Sequence, residues 1–180
     1  PQYDVQVPML SLPGLLKTTP QNVPAEVPYL HAPAERIEQW RERLGPQRQF
    51  RVGISWRGSP RHAHDHWRSV PLEYFAPLAA LPGVSLVSLQ KGAGSEELDA
   101  LGGRFEVWRS QDPEPATAAE ALLDTAALLR CLDLVITVDT AVVHLAGALG
   151  QPVWTAVSAL PDWLWLRRGE AIRMSAMVSP

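Results

Sequence analysis

From Phe50 onward the chain alternates between two kinds of segment. Short apolar runs at 50–56, 84–89, 105–108, 134–138 and 153–157 are separated by helical spacing at 71–81, 95–101, 118–130 and 141–149. Parallel strands need a crossover, usually a helix, so this alternation predicts a parallel sheet covered by helices. Leu134, Val135, Ile136 and Val138 are apolar on both faces, which fits a central parallel strand better than a half-exposed antiparallel one. Thr117 followed by Glu120 is a capping-box signal, and Pro71 suits a first helical position. The fold class predicted is α/β, a doubly wound parallel sheet.

The first 33 residues read differently, with seven of the seventeen prolines, each of which fixes φ and removes a backbone donor. An extended Pro-rich interdomain connector is expected over 1–33. Ile37, Trp40 and Leu44 then fall at helical spacing before Gly45 and Pro46, so 34–49 is expected to be a short connecting helix and turn. Residues 50–180 are left as the domain itself. The opening at Pro1 without Met reads as a piece of something longer.

The composition, 46% apolar and 19% charged over 180 residues, permits a core that needs no disulfide or structural metal. A net charge of -3 argues against nucleic acid or an anionic membrane as the partner. The cations comprise fourteen Arg and two Lys, Lys17 and Lys91. Arg suits bidentate phosphate recognition, and a GC-rich genome gives the same bias. Cys131, the one cysteine, excludes an internal disulfide. The longest stretch without Asp, Glu, Lys or Arg, 140–161, contains His144, Gly147, Gly150, Gln151 and Pro152, so no membrane span and a soluble protein are expected.

Ligands in open α/β sheets bind beyond the carboxyl ends of the strands. Three segments occupy such positions. The first, 57–68, carries Arg57, Arg61 and Arg68, which can grip a diphosphate or form a solvated basic loop. A zinc reading of His62, His64, Asp65 and His66 is disfavoured by alternating positions in a loop and by missing Cys partners. The second, 90–97, joins Gln90 and Lys91 to Gly92 and Gly94, with Ser95 placed to cap a helix. Glu96 there could accept ribose hydroxyls, or Glu96 and Glu97 could be first-turn acids favouring the positive helix end.

The third segment, 138–150, says most. Asp139 ends a buried strand, Thr140 is a natural N-cap and a small-residue helix starts at once, so its free amides make an anion site suited to phosphate. Val142, Leu145, Ala146 and Leu149 form one apolar stripe at helical spacing, and His144 projects from nearly the opposite side. A GxGxxG after the first strand, a GxxxxGK[ST] and an Asp-x-Asp pair are all missing from the sequence. Neutralisation of a diphosphate would fall to Arg, Lys and helix amides, with no metal or other cofactor.

Asp139-Thr-Ala-Val-Val-His144-Leu-Ala-Gly-Ala-Leu-Gly150-Gln-Pro-Val153 resembles the nucleotide-binding signature of the heptosyltransferase family, glycosyltransferase family 9. Gly53-Ile-Ser-Trp-Arg-Gly-Ser-Pro60, Arg68-Ser-Val-Pro71 and Leu89-Gln-Lys-Gly92 match further family segments in order. The likeness is to the C-terminal domain of bacterial proteins that place tetratricopeptide repeats before such a transferase. It implies the C-terminal, Rossmann-like half of a GT-B glycosyltransferase, cytoplasmic and metal-independent. The donor implied is a nucleotide-diphosphate sugar, at family level ADP-heptose, with a glycan or protein acceptor and a general base from a missing N-terminal domain. A non-catalytic nucleotide-sugar-binding module is the alternative. Carried over by position, Arg68 matches a basic donor contact, Glu96 an acid near the ribose and Asp139 an acid near the donor sugar. Thr140, Ala141 and Val142 match the amides around the diphosphate, and His144 matches the family His. The family often has Gly where this chain has Ala141, and relatives run on beyond the segment matching Pro161-Asp162-Trp163 to a final helix.

Overall fold

A computed structural model describes residues 3–19, 21–22, 26–63, 65–110, 117–158, 165, 167–168 and 171–172. Its centre is a four-stranded, wholly parallel sheet of β1 (Phe50–Ser55), β2 (Val84–Ser88), β3 (Leu134–Val138) and β4 (Val153–Ala156) in the order β2-β1-β3-β4. The expected α/β fold with a parallel sheet is therefore present. The chain leaves β1 for β2 on one side and returns to β3 on the other, so the strand order reverses between β1 and β3. A separate antiparallel pair joins β5 (Arg167–Arg168) to β6 (Ala171–Ile172).

Seven α-helical segments accompany the strands: α1 (Leu12–Leu15), α2 (Ala34–Leu44), α3 (Asp65–Arg68), α4 (Ala76–Ala79), α5 (Glu96–Ala100), α6 (Ala118–Leu129) and α7 (Ala141–Ala148). Side chains alternate across the sheet, so two clusters form. Val52, Ile54 and Leu86 pack with Leu72, Phe75 and Leu101 on one face. Val87, Leu89, Val135 and Val153 pack with Trp40, Leu129, Val143 and Leu149 on the other. Each buried Val or Leu contributes about 1.5–3 kcal/mol by leaving water. Gly53 faces this second cluster where a Cβ would collide with Leu132 and Leu89.

Four expectations need correction. Residues 105–108 form one parallel bridge, Val87 to Trp108, instead of a strand, so the run at 134–138 is the third strand and not the fourth. The helix expected at 71–81 is split into a 3₁₀ turn, Leu72–Phe75, and α4. Pro77 lacks an amide donor and is tolerated only in a first turn, so the α-helix starts there, while Pro71 (ψ 137°) caps the 3₁₀ turn from outside. At the start of α6, Thr117 Oγ1 accepts from the Glu120 amide at 3.2 Å as expected. The Glu120 carboxylate, however, accepts the Thr117 hydroxyl at 3.2 Å rather than completing the reciprocal amide bond.

The fourth correction concerns the N-terminal segment, which is not extended throughout: a 3₁₀ turn, Met9–Ser11, runs into α1, with Pro13 in the first turn. Further along, the amides of Tyr29 and Leu30 both donate to the Ala148 carbonyl at the end of α7, at 3.0 and 3.1 Å. The expected helix at 34–44 is α2. Trp40 anchors it, donating from Nε1 to Asp124 Oδ1 on α6 at 2.9 Å. Arg51 Nη2 donates to the carbonyls of Leu44 and Gly45 at 3.1 and 2.7 Å, satisfying orphan acceptors at the negative end of α2.

Candidate functional site

The reversal of strand order between β1 and β3 opens a crevice at the carboxyl ends of the strands, where open α/β sheets bind ligands. A cleft of about 430 Å³ lies there. Its walls are Ser55, Arg57, Gly58, Ser59, Pro60 and Arg68 after β1, then Leu89, Gln90, Lys91 and Ala93 after β2. Thr140, Ala141 and Val142 after β3 and Thr125 of α6 complete it. A recess of about 830 Å³ follows the outer edge of β2 past Arg48, Arg51, Gly83 and Trp108, toward the amino ends of the strands.

Three cations, Arg57, Arg68 and Lys91, line the cleft, and among the described residues its lining includes no Asp, Glu or His. Each arginine is held from behind. Arg57 Nε pairs with Glu97 Oε1 at 2.5 Å, and the other Glu97 oxygen accepts the Leu72 amide at 3.1 Å. Arg68 Nε lies 3.4 Å from Asp65 Oδ1, and Asp65 Oδ2 accepts the Ser69 hydroxyl at 2.9 Å. Ser69 Oγ in turn accepts the Gly58 amide at 3.1 Å, so Gly58, Ser69, Asp65 and Arg68 form one network.

The third segment forms the expected Thr140-capped helix start. Thr140 has extended backbone (φ -140°, ψ 175°), and its hydroxyl accepts from the Val142 amide at 3.4 Å. A second hydroxyl, Thr137 Oγ1, lies 3.4 Å from Thr140 Oγ1. Of the apolar stripe predicted on α7, Leu145, Ala146 and Leu149 are buried, but Val143 takes the place of Val142, which is half-buried and lines the cleft. The cause is that β3, β4, α6 and the Tyr29–Leu30 segment all cover α7, leaving little of it outside.

Seven of the eleven sequence-predicted residues meet at the cleft: Arg57, Arg68, Gln90, Lys91, Thr140, Ala141 and Val142. Gln90 nonetheless needs correction as a ligand. Its Oε1 accepts from Ser55 Oγ and the amides of Trp56 and Arg57, and its Nε2 donates to the carbonyls of Arg57 and Ala93. A carboxamide so engaged has no polar group left for a donor. Arg61 is exposed on the loop and does not line the cleft. Glu96 lies outside the lining and turns an oxygen onto the Gly94 amide at 2.8 Å, as a first-turn acid does.

Asp139 and His144 sit beside the lining. Asp139 Oδ1 is 3.9 Å from His144 Nε2, and the imidazole stacks on Trp165 at 6.1 Å and 30°. Thr125 was not foreseen, because only the packing of α6 against the sheet carries it to the cleft. Among the described residues no three His, Cys, Asp or Glu side chains converge as a metal site. Of the zinc candidates, His64 lies outside the described residues, and Asp65 is committed to Arg68 and Ser69. The segment at 161–163 also lies outside them.

Residues 114–156, from the approach to α6 through β4, match the family model of glycosyltransferase family 9 (heptosyltransferase). Protein FlbA of Caulobacter vibrioides is 32% identical over 161 residues, which are 86% of this chain and 25% of that protein. The fold is similar to that of E. coli ADP-heptose LPS heptosyltransferase II at a TM-score of 0.55 and 16% identity, over 75% of this chain and 41% of that one. The likeness to glycosyltransferase family 9 is carried by residues 114–156. The chain spans about a quarter of the length of its curated relative. The residues matched by the family model supply Thr125, Thr140, Ala141 and Val142 to the cleft, whereas Arg57, Arg68 and Lys91 lie outside the matched span. The fold is the Rossmann-like one of a GT-B heptosyltransferase. Among the described residues no helix is long and apolar enough to cross a membrane.

Proposed function

We propose that this domain binds the diphosphate of a nucleotide-sugar donor in the cleft between β1 and β3, for inverting glycosyl transfer without a metal. Family and fold support glycosyl transfer in general. The observation that carries the finer reading is that Arg57, Arg68, Lys91 and the first turn of α7 line one cleft at the strand-order reversal. A leaving nucleotide diphosphate gains charge as the anomeric carbon becomes oxocarbenium-like. Two guanidinium groups and an ammonium meet that charge, together with the start of α7, and the two guanidinium groups are preorganised by the carboxylates behind them. Removing one preorganised donor from a site of developing negative charge typically costs about 2.7–4 kcal/mol of barrier lowering. Asp139, beside the diphosphate end, is assigned to the donor sugar, Glu96 to the rim near the ribose, and His144 to the ordering of Asp139. The E. coli neighbour is an ADP-heptose enzyme, so ADP-heptose is the first donor to try.

Among the described residues the lining holds no Asp, Glu or His, and deprotonation of the acceptor hydroxyl is assigned to a group supplied by another domain. The same observation favours a second reading, a nucleotide-sugar-binding module that does not turn over. Titration calorimetry with ADP, GDP and UDP and their sugars tests the donor site. Absence of heat with every one at millimolar concentration overturns it. Binding of a sugar nucleotide that the intact longer protein neither transfers nor hydrolyses selects the second reading.

A further inference from the structure

The last backbone bond of the β1–β2 ladder runs from the Leu89 amide to the Ile54 carbonyl at 2.9 Å. Beyond it the strands part to open the cleft. In a continued parallel ladder the Trp56 amide would donate to the Leu89 carbonyl. It donates instead to Gln90 Oε1 at 3.1 Å, an atom that also accepts from the Arg57 amide at 3.0 Å and Ser55 Oγ at 3.2 Å. On the same side chain, Nε2 donates to the Arg57 carbonyl at 3.3 Å and to the Ala93 carbonyl at 2.8 Å. One side chain therefore extends the sheet past its end and grips both amide and carbonyl of Arg57.

The rest of Arg57 is held as well. Its stem lies on Gly94, whose φ of +91° and missing Cβ both matter, since a Cβ there would collide with Arg57 Cγ. Its Nε is paired with Glu97, which among the described residues leaves the Nη edge as the unclaimed part of the guanidinium. A carboxamide offers an acceptor oxygen and a two-proton donor nitrogen on one rigid plane, which neither a carboxylate nor an apolar chain can supply.

We propose that Gln90 is a positioning residue of the donor cleft, holding the loop after β1 to the loop after β2 so that the Nη edge of Arg57 faces the diphosphate. The proposal rests on the donor-site reading above. It adds that Gln90 acts through Arg57 and not by touching the ligand.

The test is a double-mutant cycle on the intact chain, with ADP, GDP and UDP titrated in parallel and the tightest carried through. Gln90→Met keeps the volume and removes all five hydrogen bonds, and Gln90→Glu keeps the acceptors and removes the donors. Each is expected to weaken binding roughly tenfold, while Arg57→Ala with Gln90→Met is no weaker than Arg57→Ala alone. Penalties that add in the double variant overturn the proposal, as does binding by Gln90→Met within twofold of the parent. Circular dichroism checks that each variant folds, and amide exchange at Trp56 and Arg57 is followed alongside. Faster exchange at those two amides in Gln90→Met supports the clasp, and unchanged exchange overturns it. If the parent chain binds no nucleotide, the donor reading fails and the exchange result alone decides the clasp.

Discussion

Gly58 and Arg68 are packed so that Nε and Nη2 of the guanidinium each lie 2.9 Å from where a Cβ on Gly58 would stand. Asp65 Oδ1 reaches the same spot. The atoms in the way are the far ends of two flexible side chains, so a methyl group at this position is accommodated by displacing the Asp65–Arg68 pair and not the backbone. Gly58→Ala is expected to leave the thermal midpoint within a few degrees of the parent while weakening nucleotide-diphosphate binding several-fold. A variant that binds as the parent does shows that the guanidinium position does not matter.

Arg68→Ala removes the cation itself. A charge-assisted contact of about 1.5–3 kcal/mol corresponds to a loss of roughly ten- to a hundred-fold in affinity for the bare nucleotide, read by calorimetry. Arg68→Lys is expected to recover only part of it, because an ammonium cannot reproduce a planar fork. Full recovery would point to a simple point charge.

Asp139 stands beside the cleft and not in its lining, so its effect should depend on whether a sugar is attached to the diphosphate. Asp139→Asn is expected to weaken sugar nucleotides and to leave nucleotide diphosphates alone, compared in one titration series. Equal weakening of both would place its influence on the helix start instead.

Thr140→Val removes the hydroxyl that accepts the Val142 amide while keeping the shape of the side chain. Losing such a cap costs about 1 kcal/mol, measured as a lower urea midpoint with an unchanged slope. An unchanged midpoint would mean that the 3.4 Å bond contributes nothing to folding.

Burial pushes the Cys131 thiol above its ordinary value of 9.0, against the smaller opposing pull of Arg41 and Arg51. The folded chain thus holds the proton more tightly than the unfolded chain. The associated stability is whole below pH 9.0 and declines as the pH rises past that point toward the folded value. Cys131→Ala should flatten this alkaline decline in denaturation curves, and the parent thiol should alkylate slowly at neutral pH until the chain unfolds. Rapid alkylation of the folded chain contradicts its burial.

The sheet and its most informative strand end could be read directly from the residues. The run at 134–138, the Thr140 cap and the helix at 34–44 are local signals, set by hydrophobic period and by one side chain satisfying an adjacent amide. Other features depended on distant residues. Whether Gln90 reaches a ligand or the backbone of Arg57, 33 positions away, is decided by how β1 and β2 diverge, which no local pattern encodes. Thr125 reaches the cleft only through the packing of α6, and Val143 displaces Val142 from the buried stripe because α7 is enclosed from several directions. The break at Pro77 is the exception: a proline at the seventh position of the 71–81 segment is itself a local signal that splits a helix.

The two amides that Tyr29 and Leu30 place on the Ala148 carbonyl make α7 a rod fastened at both ends. One end carries the incoming chain and the other faces the cleft, about 12 Å away at 1.5 Å per residue. Where an expression boundary is drawn therefore bears on chemistry at the far tip. A fragment trimmed to start after Leu30 would loosen the rod at its root, and nucleotide affinity would register the cut although no cleft residue had been touched.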